Sequence, residues 1–351
     1  MAWRFWKPKN LSETIFPLTT LSAVLGFGVF QYPIGRPRML ISVAYLTVFS
    51  AIYWSAFVIT TTKSSNTRSS STATRNAQRL VTYFNQMTTL FAQAASFWYI
   101  KRQLRIVERL RKVDNTLFKL GVSFDYRQCF IVQIICFSIW FLLLLGHVIF
   151  RIVYLVDPLP LWRVILVTAV NKYPALINML VGLTFWILAW CIGHKFYAVN
   201  QLLGEPYKHI YQQFESDDFG TVLQKKFHIA SFNMPLWRHY INGSERKNFI
   251  QILKFVHLEM TLVTRDLNEI YGKIWLMLFA MDFGLFTAYS YVLYGLWARL
   301  QIGERSLLTI SSLFWMAAFF LKIFLTNDIC DGVINQVIEF QSCMQRAYHC
   351  N

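Results

Sequence analysis

A chain of 351 residues that is 55% hydrophobic, 17% aromatic and 15% charged is not an ordinary soluble domain, which averages about 25% charged residues. Its polar residues fall in blocks between long apolar runs, the pattern of a polytopic membrane protein. The net charge of +16 needs no nucleic-acid partner, because basic residues beside a bilayer gain about 1 kcal/mol each from anionic lipid.

Taken in order, Met1 to Lys9 is basic. No short apolar segment with a small-residue cleavage site comes after it, so the first span is expected to act as the targeting signal. Leu11 to Phe30 is apolar but short, and Glu13, Pro17, Gly26 and Gly28 interrupt it; it reads as an interfacial or re-entrant helix. Six spans are expected, over about 39–62, 80–100, 130–156, 164–191, 274–297 and 307–326, each near the 20 residues that a bilayer requires. The second is moderately polar, with Asn85, Gln86 and Gln93. Helical cytoplasmic segments are expected over 101–127, 194–272 and 327–351, so the whole of 1–351 forms one membrane domain. The segment from Phe249 changes character part-way. Leu253, Val256, Met260, Val263, Leu267 and Ile270 recur at the helical period among charged residues, which defines an amphipathic stem. Past Gly272 and Lys273 the sequence is apolar on all sides and holds one charge, Asp282. One helix therefore begins as a wet stem and runs on into lipid.

Basic residues set the orientation. Five lie in the leading segment, eight after the second span and nine after the fourth, against four, one and two in the alternate connections. The bias puts the N-terminus in the cytoplasm, opposite to a G-protein-coupled receptor. The sequons at Asn10 and Asn242 then fall on the cytoplasmic side and read as chance matches. The six cysteines show no C-x-x-C spacing or paired framework; Cys129, Cys136 and Cys191 read as small apolar packing.

No phosphate loop, H-E-x-x-H or G-x-S-x-G motif is present. Asp217 and Asp218 read as a solvated acidic turn, and the histidines lack ligand spacing, so neither an enzyme, a metal nor a cofactor is expected. Polar and aromatic residues inside spans carry more information, since polar groups are costly there and often functional. Tyr83 and Gln86 on the second span, His147, Arg151 and Tyr154 on the third, Asn171 and Lys172 on the fourth, Tyr289, Tyr291 and Tyr294 on the fifth and Phe314 and Trp315 on the sixth share the outer half. Tyr83, Gln86, His147, Arg151, Asn171, Tyr289, Tyr294 and Trp315 are the expected lining of a ligand pocket; an aromatic belt is the plainer alternative. Asp282 lies deeper, with a structural or gating role by pairing within the bundle.

Several stretches resemble the insect gustatory receptor family, in the chemoreceptor superfamily that also holds the odorant receptors. They are IFPLTTLSAVLGFGVF near the start, LRKVDNTLFKLGVSFDYR after the second span, NKYPALINMLVGLTFWILAWCIGHKFYAVNQLL along the fourth, and HLEMTLVTRDLNEIYGKIWLMLF around the stem. Each motif is loose; their order and spacing carry the likeness over nearly the whole chain. The resemblance implies an all-α bundle of seven spans with a cytoplasmic N-terminus. It also implies a subunit of a tetrameric, ligand-gated cation channel of the plasma membrane, homomeric or heteromeric with other chemoreceptor subunits. A small-molecule tastant would sit in the outer half of each subunit, and the seventh helices would line the pore. After Thr326 the sequence shows no seventh apolar span, so a form cut short before that helix is expected. An odorant-receptor-like subunit and a non-conducting family member are the alternatives within the superfamily. A transporter would need inverted repeats or a midplane polar cluster, and neither is evident. The few carboxylates in the expected pocket favour an apolar or bitter-type ligand over a sugar.

The topology makes a prediction. Cysteines introduced by Lys119→Cys and Gln224→Cys should resist an impermeant thiol reagent in intact cells and react after permeabilisation. Reaction at either from outside reverses the topology.

Overall fold

A computed structural model of the chain describes residues 8–31, 37–64, 72–154, 161–211, 230–232, 246–299 and 302–349. Nearly all of them are helical. In chain order the elements are α1 (Leu11–Val24), α2 (Met39–Ser64), α3 (Thr72–Lys119), β1 (Val122–Phe124), α4 (Tyr126–Tyr154), α5 (Leu161–Tyr211), β2 (Ala230–Phe232), α6 (Arg246–Arg299) and α7 (Ile302–His349). Among the described residues, α2, α4, α5, α6 and α7 contain stretches long and apolar enough to cross a membrane. The protein is an all-α, polytopic membrane bundle.

The short helix α1 starts where Asn10 caps it. The Asn10 Oδ1 accepts from the Glu13 backbone N–H at 2.9 Å, and the Glu13 carboxylate accepts from the Lys9 N–H at 2.8 Å, a reciprocal cap. The first sequon match therefore has a structural use. At 14 residues the helix rises about 21 Å, less than the roughly 30 Å hydrocarbon layer, and does not cross. It buries Leu11, Ile15 and Leu18, and the chain turns back at Gly26. There φ is +72°, and a Cβ would lie 2.5 Å from the Phe49 ring, so glycine is required on both counts.

The second expected span lies within α3, which is not among the helices apolar enough to cross. Its amides explain the low apolarity, and two of them are spent on neighbours. The Tyr53 hydroxyl of α2 lies 2.7 Å from Gln86 Oε1 and 3.2 Å from the Val170 carbonyl oxygen of α5. Pro174 has no N–H to give that carbonyl four residues back, and the single Tyr53 O–H is shared between it and the nearer Gln86 oxygen. Gln93 Nε2 donates to the Gly26 carbonyl at 3.2 Å, and the Tyr173 hydroxyl donates to Leu25 O at 2.5 Å. These bonds fasten the loop after α1 to α3 and α5.

Four helices, α3, α5, α6 and α7, have 48 residues or more and far exceed the roughly 30 Å hydrocarbon layer. The largest, α6, has 54 residues and rises about 80 Å. Its stem lies antiparallel to α3 in the most extensive helix contact of the fold. Leu253, Val256, Met260, Val263 and Ile270 face Ile106, Leu110, Val113 and Leu117, all nearly inaccessible. Arg102 pairs with Glu269, and Arg109 with Asp266 at 3.3 Å, at the edge of this seam. Exposed pairs of this kind contribute little; the apolar stripe holds the helices together. The second long seam joins α5 to α7, which run parallel. Asn200 Nδ2 donates to the Gln336 carbonyl at 2.8 Å, and the His257 ring of α6 stacks on Phe340 of α7 at 3.5 Å.

Unbroken helix over 101–127 is not what forms. Gly121, at φ +87°, ends α3 in the left-handed conformation usual after a helix, and β1 comes next. Strand β1 pairs antiparallel with β2, Val122 opposite Phe232. Within 194–272, helix is interrupted by β2. Beside this ribbon lies a buried cluster. Lys195 of α5, 1% exposed, pairs with Asp114 of α3; Tyr126 of α4 donates to the same carboxylate, and Lys195 Nζ lies 4.2 Å from the centre of the Phe124 ring. Three helices meet at one ion pair.

Removing one member of such a pair leaves a buried charge uncompensated, at about 3–5 kcal/mol, whereas removing both is often neutral. Asp114→Ala is expected to lower the thermal midpoint of the purified protein by several degrees. The double variant Asp114→Leu/Lys195→Met should recover most of that loss.

Candidate functional site

Three helices each bring one polar side chain to a single point within the spans. Asn178 comes from α5, Asp282 from α6 and Lys322 from α7. Lys322 Nζ donates to Asp282 Oδ2 at 2.6 Å and to Asn178 Oδ1 at 2.8 Å. Asn178 Nδ2 lies 3.5 Å from the other carboxylate oxygen. Asp282 is 1% exposed and Lys322 20%, and the ammonium also lies 5.1 Å from the centre of the Trp275 ring. A lone charge at this depth costs about 2.5–3.5 kcal/mol on insertion scales; opposite charges with a bridging amide offset one another.

Against this triad lies a cavity of about 230 Å³ bounded by α4, α5, α6 and α7. Its wall is mostly aromatic and aliphatic. Trp140 and Cys136 come from α4, Gly182 and Trp186 from α5, Trp275 from α6, and Trp315, Phe319 and Thr326 from α7. Lys322 and Asn178 are the strongly polar groups in that wall. Gly182 lies against the Trp275 ring where α5 meets α6; a Cβ there would make an ordinary contact with that ring at 3.6 Å. Trp186 Nε1 donates to the Leu325 carbonyl at 3.2 Å, pinning that ring between α5 and α7.

The residues expected to line a pocket divide into groups. Trp315, 5% exposed, lies in the cavity wall. His147 approaches its ring edge-on at 5.6 Å, Lys172 Nζ lies 4.3 Å from its centre, and Phe319 links it to Tyr289 through ring contacts of 6.3 Å. His147, Tyr289 and Trp315 therefore belong to one aromatic cluster, which meets the cavity wall at Trp315 and Phe319. Asn171 is half-buried on the turn of α5 beside Lys172. Gln86 lies elsewhere, held by Tyr53 between α2, α3 and α5. Tyr83 and Tyr294 face outward, 56% and 73% exposed, as belt residues do. Arg151 sits on the last turn of α4; its side chain, like that of Tyr154, lies outside the described residues.

The cavity also reaches farther along the spans than the pocket expected from the sequence. It extends from Trp315 to Thr326 along α7, about three turns toward the end that continues as the terminal helix. Trp140, Trp186 and Trp275 do not stand out in the sequence, because tryptophan in a span reads as belt or packing. Lys322 does leave a signal: a base inside one span answers an acid inside another.

The family comparison agrees with this architecture. The model described as "7tm Chemosensory receptor" matches residues 15–351. The chain belongs to that family, and is a multi-pass membrane chemoreceptor. No curated protein matches it.

The division of the aromatics generates a test. In a conducting receptor assembly that contains this chain, Trp315→Ala should raise the ligand concentration for half-maximal response about tenfold. Tyr294→Ala should leave it within twofold. Surface labelling of both variants controls for expression.

Proposed function

We propose that the chain is a taste-type chemoreceptor subunit of a ligand-gated, non-selective cation channel, and that the cavity between α4 and α7 is its ligand site. The single observation that carries this reading is the placement of the cavity. Its wall includes an ion pair joining α6 to α7, and both helices run unbroken into long stems. A ligand that shifts α6 against α7 at Lys322 also moves the seams that α6 makes with α3 and that α7 makes with α5. Such a ligand changes an equilibrium only by its differential affinity for two arrangements, and a wall shared by two helices supplies that difference. In this reading the protein is a receptor rather than an enzyme. It resides in the plasma membrane of a chemosensory neuron with its N-terminus in the cytoplasm, and it acts in a tetramer, alone or with other chemoreceptor subunits.

The test is electrical. Cells expressing the chain together with chemoreceptor subunits of the same sensory neuron are held at about −60 mV and given small apolar compounds. A direct channel gives inward cation current that a non-hydrolysable GDP analogue in the pipette does not block, and that Asp282→Ala reduces. Block by the nucleotide analogue overturns direct gating in favour of G-protein signalling.

A further inference from the structure

The cavity wall is asymmetric in its hydrogen-bonding capacity. Lys322 commits two of its three N–H bonds, to Asp282 and Asn178. The third has no oxygen acceptor among the described residues, and Lys322 is part of the cavity wall. The wall offers few acceptors: the Thr326 hydroxyl, which donates to the Lys322 carbonyl at 2.8 Å, keeps its lone pairs, and the others are engaged or covered. Asn178 Oδ1 accepts from Lys322 and Leu325 O accepts from Trp186. The Asp282 carboxylate is 1% exposed and is not part of the wall. Two further wall residues, Trp140 and Trp275, carry buried indole N–H groups with no acceptor among the described residues. Trp275 is 6% exposed, and its ring is part of the wall. A buried donor without an acceptor is costly, and a ligand oxygen can relieve that cost.

Charge narrows the class further. Lys322 and Asp282 together are neutral, so the wall offers no net attraction to an anion. A cation would meet an ammonium group first. A volume of about 230 Å³ lies below the roughly 300 Å³ at which drug-sized sites begin. A polyol brings donors of its own, for which this wall has almost no acceptors.

Building on the ligand-site reading above, we infer that the cavity recognises a compact, neutral, largely apolar molecule bearing a hydrogen-bond acceptor, such as a ketone, ester or lactone, and rejects amines and sugars. Lys322 is the principal donor and Trp275 the second. Such a ligand competes with Asp282 and Asn178 for the ammonium, so recognition and the α6–α7 contact share one group.

Three probes of the same carbon skeleton test this: menthone, p-menthane and menthylamine. Equilibrium binding to the full chain in lipid nanodiscs is measured at about pH 7 against protein-free nanodiscs. Menthone is expected to bind at least about tenfold more tightly than p-menthane, as a hydrogen bond to a charged donor requires. Menthylamine, protonated at this pH, should show no saturable binding. Trp275→Phe keeps the ring and removes the N–H, and should weaken menthone about fivefold while leaving p-menthane unchanged. Lys322→Met alone strands the Asp282 carboxylate and can unfold the bundle, so Lys322→Met/Asp282→Leu is the decisive variant; it should abolish the preference for menthone. Equal binding of menthone and p-menthane, tightest binding of menthylamine, or a preference that survives in both variants overturns the inference while leaving a ligand cavity in place. Saturable binding of none of the three overturns the cavity itself as a ligand site, and with it the functional reading.

Discussion

A bilayer core has no water with which a stranded polar group can bond, and several polar residues within the described spans are paired across helices under that constraint. Lys322 and Asp282 answer each other, with Asn178 between them. Tyr53 answers the carbonyl that Pro174 leaves open and the amide of Gln86. Tyr173 and Gln93 answer Leu25 and Gly26 at the turn after α1. Each of these contacts joins different helices, so polar satisfaction and tertiary structure are the same set of bonds. Apolar packing against lipid cannot select one arrangement of helices over another, because lipid tails are as apolar as leucine; these few polar contacts can.

Outside the spans the balance reverses. The stem of α6 meets α3 across a stripe of buried aliphatic side chains, with ion pairs only at its edge. The exception is Lys195, almost fully enclosed with Asp114 and Tyr126 where α3, α4 and α5 converge. Helices α5, α6 and α7 each run without a break from a candidate span into a stem, and α3 is an equally unbroken helix packed beside them. The cavity touches three of these four.

Local periodicity is legible in the sequence and partnership is not. Leu253, Val256, Met260, Val263, Leu267 and Ile270 announce one face of a helix by spacing alone, and all six are buried. Asp282 can be singled out because an acid deep in a span is rare, and Trp315 because it shares a depth with polar and aromatic groups of other spans. Gln86 looks equally available, but its partner Tyr53 is 33 residues away on another helix, a distance that no period reports. Tyr83 lies one turn before Gln86 on the same side of α3, yet it is 56% exposed where Gln86 is buried, because no described partner helix covers it as Tyr53 covers Gln86. The break at Gly121 escapes a sequence reading because glycine within a charged helical pattern has several meanings. Only pairing with β2, more than a hundred residues on, makes Val122 to Phe124 a strand.

The short connection between α6 and α7 gives the Lys322–Asp282 pair a part in biogenesis. A span carrying a central lysine or aspartate enters the bilayer poorly by itself, at a penalty of about 2.5–3.5 kcal/mol. These two spans are consecutive, and only two residues separate the end of α6 at Arg299 from the start of α7 at Ile302. They can leave the translocon as a hairpin whose charges already neutralise one another. Asn178, on the earlier helix α5, is then waiting to receive the lysine. The order of the codons thus becomes an order of assembly, with α7 reaching lipid under escort from the two helices that precede it.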